Sequence, residues 1–139
     1  MRTIAFLFSL VFIFLSCTKE DIESKGTFQT FRQKLCGTWK LKESSTNGNP
    51  DNLAGIEAEI TFDNNGTFYQ LVLLDFGGST FSTEDNGNWY ITDNRTTLVI
   101  TPITNGNTWA ATITKLTSKE LILTDYSSGD TTVQSYEKM

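Results

Sequence analysis

Glu57 and Glu59 stand two residues apart in Ile56-Glu57-Ala58-Glu59-Ile60-Thr61-Phe62, so a strand would present both carboxylates on one face. Paired carboxylates can divide general-acid and general-base work between them. The alternate residues Ile56, Ala58, Ile60 and Phe62 form the apolar face, however, which leaves the two acids in water. Asp63-Asn64-Asn65-Gly66 and Asp85-Asn86-Gly87-Asn88 carry the Asp/Asn spacing of partial calcium loops. Neither is followed by the Glu that closes such a loop, and turn chemistry accounts for both. Glu43, Asp75 and Asp125 are the carboxylates whose strand parity points inward, where an enzyme would need its acid.

The rest of the composition argues against catalysis. The 139 residues contain no His and two Cys, which rules out a Ser-His-Asp triad, a Cys-His dyad and a Cys/His zinc site. No catalytic residue, metal site or cofactor is assigned, and the chain reads as a non-enzyme. With 11 basic and 16 acidic residues and no basic cluster, it is not a nucleic-acid binder.

The chemistry that does emerge belongs to Cys17. Met1-Arg2 is a short positive start, and Ile4 to Leu15 is apolar except for Ser9. That run is too short to span a bilayer, which takes roughly 20 residues, but it suits a secretory signal. Phe14-Leu15-Ser16-Cys17 resembles a bacterial lipobox, although Leu directly before the Ser departs from the usual pattern. Residues 1–16 are therefore expected to be removed and Cys17 to be acylated, palmitate included, with several chains giving a stable anchor. A Cys17–Cys36 disulfide is the alternative. Loss of Arg2 takes the formal charge from −5 to −6.

Residues 17–26 read as an acidic tether, in which Thr18-Lys19-Glu20-Asp21-Ile22-Glu23 is similar to a surface-export signal. The expected address is the outer membrane, on either the cell surface or the periplasmic face. From residue 27 the pattern changes. Phe28, Phe31 and Leu35 share one helix face, with Thr27 as N-cap and Gly37 as the stop, giving a short amphipathic helix that covers one end of a β domain.

Strand patterns fill the chain from Trp39 onward. Trp39–Glu43 alternates, and Ser44–Asn52 is a polar loop. Ile56–Phe62 and Thr67–Phe76 are strands joined by the turn Asp63–Gly66. Thr67–Phe76 is apolar on both faces, with Tyr69, Leu71 and Leu73 on one and Phe68, Val72, Leu74 and Phe76 on the other. Phe81–Asp85 reads as a short strand or part of a lid, ending at a turn over Asn86-Gly87-Asn88. Trp89–Thr92, Thr96–Pro102, Thr108–Leu116, Glu120–Tyr126 and Thr131–Glu137 complete eight or nine strands. The short connections force antiparallel neighbours. An up-and-down meander of that size must close or leave aggregation-prone edges, which favours a barrel over a two-sheet sandwich.

The order of these features carries a resemblance. Leu35-Cys36-Gly37-Thr38-Trp39, then Ile60 to Phe68, then Gly87-Asn88-Trp89, then Ile113 to Leu123 resembles the bacterial lipocalin-like domain family of small secreted lipoproteins. The resemblance covers roughly residues 35–137. It implies an all-β, eight-stranded antiparallel up-and-down barrel with a short N-terminal helix, formed by residues 27–139. It also implies that Gly37 and Trp39 plug one end. Lipocalins pack a late Arg over that Trp; here Lys138 is the only base in the final strand region.

The aromatic content, with ten Phe, four Tyr and three Trp, then has two readings. Either it is all core, or Phe62, Tyr69, Leu71, Trp89 and Trp109 line a cavity for a small apolar ligand, with Ala58, Ala110 and Ala111 leaving room. The expected function is a monomeric, membrane-anchored barrel that binds such a ligand. The alternative is an interaction module that presents loops to a protein or glycan.

Overall fold

The structure is a computed structural model that describes residues 28–92 and 94–139. The signal segment, Cys17, the tether and the proposed N-cap Thr27 lie outside the described residues. The chain starts with helix α1 (Phe28–Leu35), followed by β1 (Gly37–Thr46), β2 (Asn49–Pro50), β3 (Ile56–Phe62), β4 (Thr67–Asp75) and β5 (Thr80–Ile91). It ends with β6 (Thr97–Pro102), β7 (Trp109–Leu116), β8 (Glu120–Asp125) and β9 (Thr132–Lys138).

From β3 onward each strand pairs antiparallel with the next, and β1 pairs with both β3 and β9. Eight strands thus close into an up-and-down barrel, and among the described residues no long strand is left with an unpaired edge. The two-residue β2 clips back on the end of β1, Ser45 opposite Pro50 and Thr46 opposite Asn49. Within the expected polar loop, Asn47 and Gly48 both take positive φ (52° and 79°), the backbone that a two-residue hairpin demands.

Two sequence expectations change. Asn86-Gly87-Asn88 is not a turn, because β5 runs unbroken through it and pairs with β4 from Thr67 opposite Asn88 to Asp75 opposite Thr80. Gly87 serves a close approach instead. A Cβ there would fall on the Thr101 carbonyl oxygen and within 2.9 Å of the Phe68 ring. Parity also breaks at two bulges, between Leu41 and Glu43 in β1 and between Ile113 and Lys115 in β7.

Asp63–Gly66 does form the β3–β4 turn. Gly66 N–H bonds Asp63 O at 3.1 Å, while Asn65 Oδ1 accepts from the Thr67 amide and hydroxyl at 3.0 and 2.7 Å. These side chains are occupied in shaping their own loop. Among the described residues no group of three His, Cys, Asp or Glu is placed to hold a metal ion.

Alternate turns of a meander lie at opposite ends of the barrel. Helix α1, the β3–β4, β5–β6 and β7–β8 turns and the end of β9 share one end, which is closed. The β1–β3, β4–β5, β6–β7 and β8–β9 connections share the other, which is the mouth.

Candidate ligand-binding site

The closed end is solid. Leu35, Trp39 and Phe62 are fully buried there, and Trp89, Ile91, Leu98, Ile113 and Leu121 pack with them. Trp39 Nε1 donates to Leu35 O at 2.7 Å, which ties the first strand to the last turn of α1. Lys138, the one base of the final strand region, covers Trp39: its Nζ lies 5.0 Å from the ring centroid and donates to the carbonyls of Lys34 and Cys36 at 2.9 and 2.6 Å. Gly37 leaves room for this latch. Its φ is 119°, and a Cβ would come within 2.8 Å of Lys138 Cε.

A second cation covers the second Gly-x-Trp. The Arg32 guanidinium stacks 4.4 Å from the Trp89 ring centroid and donates to Asn64 O at 3.0 Å. Trp89 Nε1 donates to Asp63 O at 3.1 Å, and its ring meets Phe62 edge-on at 5.4 Å. Gly37 and Trp39 lie at this packed end, and Phe62 and Trp89 pack in the same buried cluster rather than in the cavity wall.

The mouth half is open. A cavity of about 280 Å³ is floored by Ile60, Phe68, Ile100 and Leu123 and walled by Gln70, Pro102, Trp109, Asp125, Thr132, Gln134 and Tyr136. Register explains the membership. Ile60 and Phe62 point inward, so their partners Gln70 and Phe68 do as well, while the intervening Tyr69, with Leu71, faces outward. Tyr69 and Leu71 are thus corrected to the outer wall. Ala110 is also outside and exposed, whereas Ala111 is buried inside. Of the five aromatic and apolar residues expected to meet a ligand, Trp109 alone lines the cavity.

The inward acids separate in the same way. The β1 bulge turns Glu43 outward opposite Ser135, and Asp75 sits on the outer parity next to inward Leu74. Asp125 stays inside, opposite Thr132. Its Oδ2 accepts from Trp109 Nε1 at 2.7 Å and its Oδ1 from the Ser127 amide at 2.7 Å. Burial pushes this carboxyl up, but the Ser127 hydroxyl and amide, the Trp109 indole and the Tyr126 amide together outweigh it and hold it below its ordinary 3.8. That is the setting of a standing anion. A general acid needs the opposite shift.

Tyr136 completes the wall. Burial pushes its phenol up to about 12, and its hydroxyl donates to Gln134 Oε1 at 3.0 Å. Gln70, Thr132 and Gln134 were not singled out from the sequence. The usable signal was Gln70, a lone amide within the apolar run Phe68–Leu74. Glu57 and Glu59 stand on the outer face as read, Glu57 in an ion pair with Lys40 at 2.9 Å.

A closed eight-stranded meander, a short helix and a Gly-x-Trp plug under a late cation together define the scaffold. The profile of the Lipocalin-like domain matches residues 35–123. The chain belongs to the lipocalin-like domain family. No curated protein matches it. Among solved structures, this lipocalin-like domain is similar to a redesigned β-barrel at 14% identity and TM-score 0.50, covering 78% of this chain and 94% of that one. It is also similar to a bovine odorant-binding protein in complex with a selenium-containing odorant, at 14% identity and TM-score 0.49, covering 87% and 78%. The first likeness concerns the fold alone.

Proposed function

We propose that this lipocalin-like protein is a membrane-anchored lipoprotein that binds a small apolar ligand in the mouth cavity and catalyses nothing. The observation that carries the reading is the asymmetry of the barrel: one half is filled with side chains, and the other encloses about 280 Å³ above an apolar floor. That volume lies near the lower end of the roughly 300–1,000 Å³ usual for ligand pockets, so the occupant is small or enters only in part. Native mass spectrometry after mild extraction, together with titration by apolar probes, tests the reading. Failure to find any saturable ligand would overturn it.

The anchor is part of the proposal. Cys17, acylated after removal of residues 1–16, would hold the barrel at the outer membrane on a tether of about ten residues. Cys17→Ala should then move the protein to the soluble fraction. A protein that stays with the membrane would refute the lipid anchor.

A second reading is supported by the mouth itself. Phe76 and Phe81 (6.2 Å between ring centroids), Ile103 and Tyr126 stand exposed on three mouth-side hairpins. Exposed apolar side chains of this kind suit a protein or glycan partner. Recovery of one crosslinked partner in fixed stoichiometry, lost on replacing Phe76 and Phe81 by Ser, would favour docking through the mouth loops.

A further inference from the structure

We propose that the mouth cavity selects a small amphiphile with a cationic, amine-type head, Asp125 receiving the ammonium while the hydrocarbon rests on Ile60, Phe68, Ile100 and Leu123. The inference rests on the cavity reading above and names the chemistry of the ligand.

Three observations lead to it. First, Asp125 is the only acidic or basic residue among the described residues lining the cavity; the remaining polar walls are amides, a threonine and a phenol. Its hydrogen-bond donors are an indole, amides and a hydroxyl, all neutral, so the negative charge is spread but not cancelled. A purely apolar occupant would strip water from that carboxylate and offer nothing in return, which is unfavourable. An ammonium supplies both the donor and the opposite charge.

Second, the acids of the mouth add to Asp125. Asp51 accepts from the Ser44 and Thr46 hydroxyls at 2.6 and 3.3 Å, Asp85 from Thr104 Oγ1 at 2.8 Å, and Asp130 from Asn47 Nδ2 at 2.7 Å. These donors are neutral too.

Third, the cations of the described residues lie elsewhere. Arg32 and Lys34 are on α1, Arg95 and Lys119 in closed-end turns, and Lys138 at the end of β9. Lys40, Lys42 and Lys115 form ion pairs with Glu57, Glu137 and Glu120. The barrel is therefore polarised along its axis, negative at the opening. A cleft lined by one sign of charge focuses its field and concentrates the opposite ion. A carboxylate-headed chain of the same length meets repulsion at this entrance.

The test uses three probes of one chain length, octylamine, 1-octanol and octanoate. They are titrated by calorimetry into the mature chain, residues 17–139, carrying Cys17→Ala, so that neither an acyl group nor the apolar signal segment competes. The expected order is amine tighter than alcohol by about tenfold, with the carboxylate weakest. Asp125→Asn, which keeps an acceptor for Trp109, should bring the amine down to the level of the alcohol. Thr132→Lys, which places a resident ammonium opposite Asp125, should abolish amine binding and spare the alcohol. Equal affinity for all three heads, or tightest binding of octanoate, overturns the proposal and leaves the cavity reading standing. Binding of none of the three overturns the cavity reading and this inference with it. The wild-type ligand order stands as evidence even if a variant fails to fold.

Discussion

Lys138, next to last in the chain, sits with its ammonium 5.0 Å from the centre of the Trp39 ring, at the start of the first strand. The same ammonium donates to the carbonyls of Lys34 in the last turn of α1 and of Cys36 just beyond it, so one side chain joins the helix, the first strand and the last. It works as the latch that an Arg provides in lipocalins, with a point charge in place of a planar fork.

Removing that latch has a measurable cost. Lys138→Ala should lower the unfolding free energy by about 2 kcal/mol, from lost charge-assisted hydrogen bonds and the cation–aromatic contact. Lys138→Arg should recover much of it. Urea denaturation at constant m compares the three, and a Lys138→Ala midpoint equal to wild type would show that the latch contributes nothing.

Gly87 and Gly48 separate steric need from backbone need. Gly87→Ala would push a methyl into the Thr101 carbonyl, the Phe68 ring and Pro102, and we expect a loss of about 3 kcal/mol. Gly48 has φ 79° with open space around it, so Gly48→Ala should cost only about 1 kcal/mol. Equal losses at the two sites would mean that β5 does not press against β6 and Phe68 at Gly87.

Tyr136 should make stability depend on alkaline pH. Its phenol rises from 10.0 to about 12 on folding, because burial disfavours the phenolate. A group whose pKa is raised in the folded state stabilises fully below its unfolded value, and the benefit is lost as pH climbs through the folded value. Wild type should therefore lose about 3 kcal/mol between pH 10 and 12 that Tyr136→Phe does not lose. At neutral pH the variant should be weaker by about 1 kcal/mol, having lost the bond to Gln134. Denaturation midpoints of both proteins across that pH range provide the comparison.

Trp109 should report cavity occupancy. It lines the cavity, whereas Trp39 and Trp89 are sealed in the closed end. Ligand titration should change indole emission in wild type and leave it flat in Trp109→Phe. A full response in the variant would place the ligand outside the mouth.

Much of the fold is readable because alternation is a local signal. In β3, Ile60 and Phe62 alternate with Glu59 and Thr61, so its buried face follows from side-chain type. In β4 the same reasoning has nothing to grip, since Phe68 and Tyr69 are both aromatic and both parities are apolar. Only the pairing of Phe68 with Phe62 and Gln70 with Ile60 decides the face, and that pairing places Tyr69 and Leu71 outside. Glu43 was misplaced for a related reason: a single bulged residue inverts parity for the rest of β1. Asn86-Gly87-Asn88 has turn composition, yet its Gly answers to a neighbouring strand.

By itself, then, the sequence determined what short-range patterns encode. These are the strand content, the antiparallel meander implied by short connections, the Gly-x-Trp opening and the absence of histidine chemistry. Tertiary structure decided what depends on residues far apart in the chain. Closure of β1 on β9 set Lys138 over Trp39, packing of α1 put Arg32 over Trp89, and strand register left Asp125 and Trp109 facing an unfilled mouth. Period-two patterning assigns a residue to one of two faces, whereas register and closure determine which side chains meet and how much space remains between them.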